Sequence, residues 1–131
     1  MKAIVVDDSS VVRKIVGSFL GLNGFDVVLE AKNGIEALQL LAVEPAPALA
    51  IVDVNMPRMN GIQLVGLLRA NPRFEGMKII ILTAEPDRRV LAGLARVNGY
   101  IPKPFTEARM HKALAALGFA LSAPAADVRA G

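Results

Sequence analysis

Short apolar segments alternate with amphipathic, helix-like segments along this chain, and the alternation restricts the fold more than any other feature. Five segments contain short runs of apolar, often β-branched residues and are predicted to be strands: residues 3–6, 26–30, 49–53, 78–83 and 99–101. Such runs are typical of strands that are buried on both faces of a parallel sheet. A helical pattern follows each of them. We therefore predict a doubly wound α/β fold, with a five-stranded parallel sheet flanked by five helices.

Capping residues and helix-ending residues set the limits of the predicted helices. Ser9 and Ser10 can cap the first helix, and Asn33 begins the second. A third helix is predicted at 62–70, a short fourth helix at 88–97 and a last helix at 106–117. The positions predicted to face the core are Val12, Ile15, Val16, Phe19, Ile35, Leu38, Leu41, Leu64, Leu67, Leu68, Met110, Ala113, Leu114 and Leu117.

Length and composition limit the class of protein. The 131 residues are expected to form one domain at 1–120, followed by a flexible tail at 121–131 that is small, proline-containing and aperiodic. Because the chain has no cysteine, thiol chemistry is excluded. The start, MKAIVVDD, has neither the pattern of a secretory signal nor the length of a membrane span. We therefore expect a cytoplasmic protein with no membrane contact.

The charge is unevenly distributed between the two parts of the chain. Residues 1–56 hold four Lys or Arg against seven Asp or Glu, and residues 57–131 hold eleven against five. The basic residues are scattered singly over predicted helix surfaces, and no aromatic platform lies among them. We interpret them as a solvated surface, with an acidic protein partner as the next possibility, and we expect no direct binding of nucleic acid.

Polar residues stand where four of the predicted strands end. Asp7 and Asp8 close the first strand, Asp53 closes the third, Thr83 closes the fourth, and Lys103 follows the fifth. The carboxyl ends of parallel strands meet at one edge of a sheet, where the ligand crevice of an open α/β fold lies. We therefore expect these five side chains to converge.

Three carboxylates in one place repel one another unless a cation or a raised pKa relieves the repulsion. Mg²⁺ suits this role because it takes oxygen ligands and keeps several of its waters. Asp53 can then use its other oxygen as a nucleophile, as in aspartyl-phosphate chemistry. The Lys103 ammonium and the Thr83 hydroxyl each suit a phosphoryl oxygen. The residues thus predict a phosphoryl-transfer site that uses Mg²⁺.

The motifs at these strand ends resemble those of a known family. The pair Asp7-Asp8, the stretch DVNMPRMNG around Asp53, Thr83, and Tyr100 before Lys103-Pro104-Phe105 are similar to the receiver domain of bacterial two-component response regulators, over roughly residues 2–118. Within that family the chain is most similar to the single-domain chemotaxis regulators. The resemblance implies the flavodoxin-like receiver fold and phosphotransfer from a histidine kinase to Asp53. It also implies control of a partner protein in chemotaxis or motility, without turnover as an enzyme.

The resemblance implies a metal site and a cis peptide bond as well. Mg²⁺ would be held by Asp8, Asp53 and the backbone carbonyl of Asn55, with Asp7 behind these ligands or bound through water. Lys103 would pair with the phosphoryl group, and the peptide bond from Lys103 to Pro104 would be cis.

The resemblance also implies that four residues govern the switch and the lifetime of the phosphorylated state. Thr83 and Tyr100 would form the pair that rearranges when Asp53 is phosphorylated. Asn55 and Glu85 occupy the two positions at which receivers vary and which set how fast water removes the phosphoryl group. The combination implies an aspartyl phosphate that lasts seconds to minutes.

The chain departs from the family in the segment that leads from Thr83 to Lys103, which is slightly shorter than usual. Pro102 also removes a backbone donor, which is acceptable because the fifth strand is expected to be an edge strand. Both changes fall on the face formed by the fourth helix, the fifth strand and the fifth helix, which receivers use to engage targets. We expect a histidine kinase and a downstream protein at that face as partners, and a monomeric chain.

Other functions remain open at this point. A haloacid-dehalogenase-type phosphohydrolase also uses an aspartate nucleophile, but it needs a second acid two residues later, where Asn55 stands. The chain can also be a receiver cut from a larger response regulator or hybrid kinase, or an intermediate in a phosphorelay. His111 has no second ligand nearby in the sequence, and we interpret it as a surface residue.

Overall fold

The computed structural model contains one five-stranded sheet with helices on both faces, and it describes residues 1–54, 56, 58–83 and 97–119. The strands are β1 (Lys2–Val6), β2 (Val27–Ala31), β3 (Leu49–Asp53), β4 (Lys78–Thr83) and β5 (Gly99–Pro102). The helices are α1 (Ser10–Leu22), α2 (Gly34–Val43), α3 (Gly61–Arg69) and α4 (Glu107–Ala116), with a 3₁₀ turn at Pro72–Phe74. Within these described ranges, no helix has the length and apolar character needed to cross a membrane.

The sheet is parallel throughout, in the order β2-β1-β3-β4-β5. The strand order reverses at β1, because the chain moves from β1 to β2 in one direction and returns past β1 to β3 in the other. Such a reversal opens a crevice beyond the carboxyl ends of the two strands on either side of it. Asp7 directly follows β1, and Asp53 is the last residue of β3. The topology therefore places the two acids on both sides of this crevice.

The two faces of the sheet bury two separate apolar clusters. On one face, the central strands pack against α2 and α3, as Val52 does against residues such as Leu41 and Leu64. On the other face they pack against α1 and α4, as Ile51 does with Leu20 and Met110. Successive strand side chains point to opposite faces, so consecutive apolar positions supply both clusters at once. This confirms the doubly wound parallel α/β fold.

The predicted strands match the observed ones closely, whereas the buried faces of α1 and α3 differ from the predicted faces. The third and fourth strands have the predicted limits, and β2 begins and ends one residue later. Ile15 is 43 % exposed and Leu67 is 48 % exposed, so their assignment to the core was wrong. The helices instead bury Leu20 and Val65. Both α1 and α3 carry more apolar residues than their buried faces can hold. The sequence therefore does not determine how each helix is rotated about its own axis.

Two predicted segments lie largely outside the described residues. The predicted helix at 88–97 falls in this part of the chain, except for Val97, which packs against the cluster that contains Val52. The tail at 121–131 and the proposed domain limit at residue 120 fall there as well. These remain predictions from the sequence.

Each of the helices α1 to α4 begins with a side-chain cap. Ser9 Oγ accepts a hydrogen bond from Val12 N at 3.2 Å at the start of α1, so Ser9 and not Ser10 is the cap. Asn33, Asn60 and Thr106 cap α2, α3 and α4 in the same way. The caps satisfy backbone N–H groups that would otherwise lack partners. They fix where each helix begins beyond the strand that precedes it.

The edge position of β5 agrees with the presence of Pro102. This proline pairs with Thr83 of β4, and the next N–H group, that of Lys103, donates to Thr83 O at 2.7 Å. Donors alternate between the two sides of a strand, so the nitrogen of Pro102 lies on the side away from β4. Its missing proton therefore costs no hydrogen bond with β4.

His111, which the sequence indicates as a surface residue, is half-buried and has a partner. Its Nδ1 lies 2.8 Å from Oδ1 of Asn23, the residue that ends α1. Asn23 Nδ2 donates to Phe19 O at 2.7 Å, so the amide oxygen faces the imidazole and His111 Nδ1 carries the proton. The pair joins α4 to the end of α1. Because the partners are 88 positions apart, no local pattern indicates their contact.

Candidate functional site

Asp7 is fully buried and is held from several directions. Its N–H donates to Ala31 O at 3.0 Å, which extends the pairing of β1 with β2 by one bond. Its Oδ1 accepts from Ser9 N at 2.9 Å, and its Oδ2 accepts from Lys103 Nζ at 3.2 Å. Arg13 donates to its main-chain oxygen at 2.6 Å. A buried carboxylate needs such partners, so Asp7 has little freedom to move.

Asp8 and Asp53 bring two further carboxylates to the same place. Each of Asp7, Asp8 and Asp53 offers one oxygen, and the three oxygens lie within 4.8 Å of one another. Asp53 is 3 % exposed, whereas Asp8 is exposed. A group of carboxylate oxygens at this separation, with one acid open to solvent, is the donor set that a hard divalent cation takes. The residues present therefore fit Mg²⁺.

Lys103 supplies a positive charge beside two of the three acids, Asp7 and Asp53. Its Nζ lies 3.2 Å from Asp7 Oδ2 and 3.4 Å from Asp53 Oδ1. Burial alone would lower the pKa of Lys103, but the carboxylates of Asp53 and Asp7 raise it above the usual lysine value. The ammonium is therefore charged at neutral pH. The peptide bond that follows it, to Pro104, is cis as expected.

Thr83 and Tyr100 lie on neighbouring strands but in different environments. Thr83 ends β4 and is 3 % exposed, and its strand pairs with β3 so that Leu82 stands beside Asp53. Thr83 thus lies one residue beyond the level of Asp53. Tyr100 on β5 is 49 % exposed. Asn55 and Glu85, which were also predicted to take part in the chemistry, lie outside the described residues.

The start of α3 closes against the backbone of Asp53. Gly61, the first residue of α3, donates from its N–H to Val54 O at 3.0 Å. A Cβ added at Gly61 would lie 2.4 Å from Asp53 O, which is a backbone atom and cannot swing away. Glycine is therefore required here by close approach, a requirement that spacing in the sequence does not indicate.

Replacing Gly61 with alanine is expected to lower the free energy of unfolding by about 1–3 kcal/mol, because the new methyl group must push α3 away from the carbonyl of Asp53. Denaturant unfolding measures the change. Gly66 on the same helix is the matched control, since nothing lies within 4 Å of a Cβ added there. Gly66→Ala is expected to stabilise the protein by about 0.5–1 kcal/mol. Equal effects at both positions would contradict the close approach at Gly61.

The structure thus brings together Asp7, Asp8, Asp53 and Lys103, and it places Thr83 one residue beyond Asp53 in the sheet. Sequence reasoning did not find Arg13 and its partner Glu30, which meet at 2.9 Å. It also did not predict the close approach of Gly61 to the backbone of Asp53. An arginine four residues after a helix cap is a common surface residue, so its contact with the strand end has no signal in the sequence.

The chain is similar to known proteins over most of its length. A family model described as response regulator receiver domain matches residues 3–115. The chemotaxis protein CheY homolog of Campylobacter jejuni is 47 % identical over 108 residues, which cover 81 % of this chain and 83 % of that protein. The chemotaxis protein CheY1 of Helicobacter pylori is 45 % identical over 108 residues, which cover 81 % and 87 %. The structure of the chemotaxis response regulator CheY4 of Vibrio cholerae matches with a TM-score of 0.80 at 30 % identity, covering 88 % of this chain and 97 % of that one.

Proposed function

This chain belongs to the response regulator receiver domain family, and from that membership we propose that Asp53 accepts a phosphoryl group from a histidine kinase. The chain is a receiver of a two-component system, of the chemotaxis response regulator type. One observation carries the proposal for Asp53. Three carboxylates meet within 4.8 Å, and an ammonium group lies 3.4 Å from Asp53. This set supplies both a nucleophile and the positive charge that a phosphoryl group needs.

In the proposed reaction, an oxygen of Asp53 forms a bond to phosphorus while the bond from phosphorus to the kinase histidine nitrogen breaks. The nitrogen leaves with the electron pair of that bond. Lys103 would hold one phosphoryl oxygen through its ammonium group, and the Thr83 hydroxyl would donate to another. Burial of Asp53 supports this assignment, because charges act more strongly where water is excluded.

The residues that would hold Mg²⁺ are Asp8, Asp53 and the backbone carbonyl of Asn55, with Asp7 acting through water or from behind. When bound, the ion would neutralise negative charge on the phosphoryl oxygens. Asp7 suits the supporting position because both of its carboxylate oxygens already accept hydrogen bonds, from Ser9 N and from Lys103 Nζ. Asp8 is the acid most open to an ion that arrives from solvent.

Phosphorylation would act by shifting the population of two arrangements of Thr83 and Tyr100. The half-exposed ring of Tyr100 supports this role, because it has room to move. Mg²⁺ with beryllofluoride, which mimics a phosphoryl group on aspartate, is expected to shift the NMR signals of residues 83–105. Asp53→Asn is expected to remove these shifts. Shifts confined to the acids and their direct neighbours would refute the switch.

A groove beside β5 supports the proposed target face. It has a volume of about 570 Å³ and runs between β5 and α4, with Tyr100 and Pro102 on one side and Arg109 and Lys112 on the other. The walls are mainly apolar, and the two cations would complement an acidic segment of a downstream protein. The groove lies on the face that contains Tyr100, so a movement of this ring would alter its shape.

The aspartyl phosphate is proposed to last seconds to minutes, because Asn55 and Glu85 would let water reach the phosphoryl group. Loss of the phosphoryl label from the isolated protein, followed at neutral pH with Mg²⁺, measures the lifetime. A half-life of many hours would contradict the roles given to these two residues.

Receivers of this type are regulators and not turnover enzymes. We propose that the chain catalyses only its own Mg²⁺-dependent phosphorylation and dephosphorylation, as a cytoplasmic monomer. The match to residues 3–115 supports one receiver domain that ends near residue 120. The alternative is that this domain is part of a larger response regulator or hybrid kinase, or that it is an intermediate in a phosphorelay.

A further inference from the structure

Arg13 joins the start of α1 to the ends of two strands. Its NH1 donates to the main-chain oxygen of Asp7 at 2.6 Å, just beyond β1, and its Nε donates to Glu30 Oε1 on β2 at 2.9 Å. The Arg13 side chain is only 15 % exposed. A guanidinium group donates in fixed directions, so two acceptors hold it in one orientation. Arg13 is therefore a fixed donor and not a mobile surface cation.

The bond from Arg13 fixes one of the two peptide groups that flank Asp8. The carbonyl of Asp7 and the N–H of Asp8 belong to the same planar peptide, so a hydrogen bond to that carbonyl orients the plane. The peptide on the other side of Asp8 is held too, because Ser9 N donates to Asp7 Oδ1 at 2.9 Å. With both planes held, the direction in which the Asp8 side chain leaves the backbone is set.

We propose that Arg13, held by Glu30, is a positioning residue for the divalent-cation site and acts by fixing the backbone before Asp8. This inference rests on the proposed Mg²⁺ site and adds two residues to it that touch neither the ion nor the phosphoryl group. Asp8 needs this support more than its neighbours do. Asp7 and Asp53 are buried, whereas Asp8 is exposed and lies in the turn between β1 and α1.

Charge and geometry predict opposite results for the loss of Arg13. A cation near three carboxylates repels Mg²⁺, so on charge alone its removal would strengthen binding of the ion. The ion pair with Glu30 offsets much of that repulsion. If Arg13 acts by geometry, its removal instead weakens binding, and residues that orient metal ligands typically contribute about 10–100-fold in affinity.

The test uses the full chain with Mg²⁺ alone and no phosphoryl donor. Arg13→Gln is expected to raise the Kd for Mg²⁺, measured by calorimetry or NMR titration, by about 10-fold or more. Lys14→Gln is the matched control, because it removes the same charge from the next position, which is exposed. It is expected to leave the Kd unchanged or slightly lower. Without metal, the Asp8 and Ser9 amides of the Arg13→Gln protein should exchange faster with solvent.

An unchanged or lower Kd in Arg13→Gln, or unchanged exchange at Asp8 and Ser9, would overturn the inference. Phosphorylation by a small donor gives a further readout: Arg13→Gln should require more Mg²⁺ but reach the wild-type rate at saturation. A lower rate at saturating Mg²⁺ would show that Arg13 does not act through the metal site alone.

Glu30→Gln keeps the arginine but weakens its anchor, so it should raise the Kd by a smaller factor, and it replaces Arg13→Gln as the test if that protein fails to fold. No effect of Glu30→Gln on either the Kd or the exchange would then overturn the inference. A wild-type chain that binds no Mg²⁺ at this site would refute the proposed metal site. The amide exchange in the metal-free proteins still tests the positioning by Arg13 in that case.

Discussion

Replacing Asp53 with asparagine is expected to abolish phosphorylation of this protein. The amide nitrogen and oxygen of asparagine are poor nucleophiles, and the neighbouring Asp7 carboxylate is already engaged by Ser9 N and Lys103 Nζ. A small phosphoryl donor such as phosphoramidate, with Mg²⁺, makes the experiment independent of the cognate kinase. Intact-mass measurement should find one added phosphoryl group in the wild type and none in Asp53→Asn. The variant should fold, because it has nearly the same shape and less like-charge repulsion.

Asp26→Asn is the control for this experiment. The Asp26 side chain is 78 % exposed and lies just before β2, at the opposite end of the strands from the acids. This protein should take up phosphoryl groups as the wild type does. If Asp53→Asn were still labelled to the full extent, another residue would be the acceptor and the proposed function of Asp53 would be wrong.

Replacing Lys103 with methionine is expected to slow phosphorylation by the same donor by about 10²–10³-fold, the usual effect of removing one preorganised donor to a developing negative charge. The same change should strengthen the binding of Mg²⁺. The ammonium lies 3.2 Å from Asp7 and 3.4 Å from Asp53, so it competes with the ion for the carboxylates. If the reaction is slower although Mg²⁺ binds more tightly, Lys103 acts on the phosphoryl group and not by retaining the metal ion. Lys32→Met, at an exposed position, is the control and should change neither quantity.

The stability of the metal-free protein gives a second readout for Lys103. Because Asp53 and Asp7 raise its pKa in the folded state, the charged lysine stabilises the fold fully below its usual pKa of 10.5. That contribution is lost as the pH rises through the higher pKa of the folded state. The difference in unfolding free energy between wild type and Lys103→Met should therefore be constant near neutral pH and narrow in alkali. If this difference in unfolding free energy stayed constant in alkali and became smaller only at acid pH, the raised pKa of Lys103 would be contradicted.

Much of the fold could be predicted because the relevant signal is local. Residues 49–52 and 79–82 are apolar at every position, and short runs of this kind are typical of strands buried on both faces. Once the strands are parallel, their carboxyl ends share an edge, so the proximity of Asp7, Asp53 and Lys103 follows from their order along the chain. The helix caps at Asn33 and Thr106 are local signals of the same kind.

The remaining features depend on contacts between distant residues or on small rotations. The bond between Asp7 and Lys103 spans 96 positions, so the sequence indicated that they are near but not that the lysine binds this acid as well as Asp53. The exposure of Ile15 and Leu67 depends on how each helix rolls against the sheet. The close approach at Gly61 depends on the path of the loop after β3. None of these three features produces a periodic pattern in the sequence.

Pro102 limits how this protein can be recognised. A guest strand that joined β5 on the side away from β4 would find no proton at Pro102, so it would leave one of its own carbonyls unsatisfied. Recognition by strand addition is therefore unfavourable at this edge. A partner at the proposed target face would therefore contact side chains, such as those that line the groove between β5 and α4. The same gap in the backbone donors discourages copies of the chain from joining edge to edge through β5, which is how unprotected sheet edges seed aggregation.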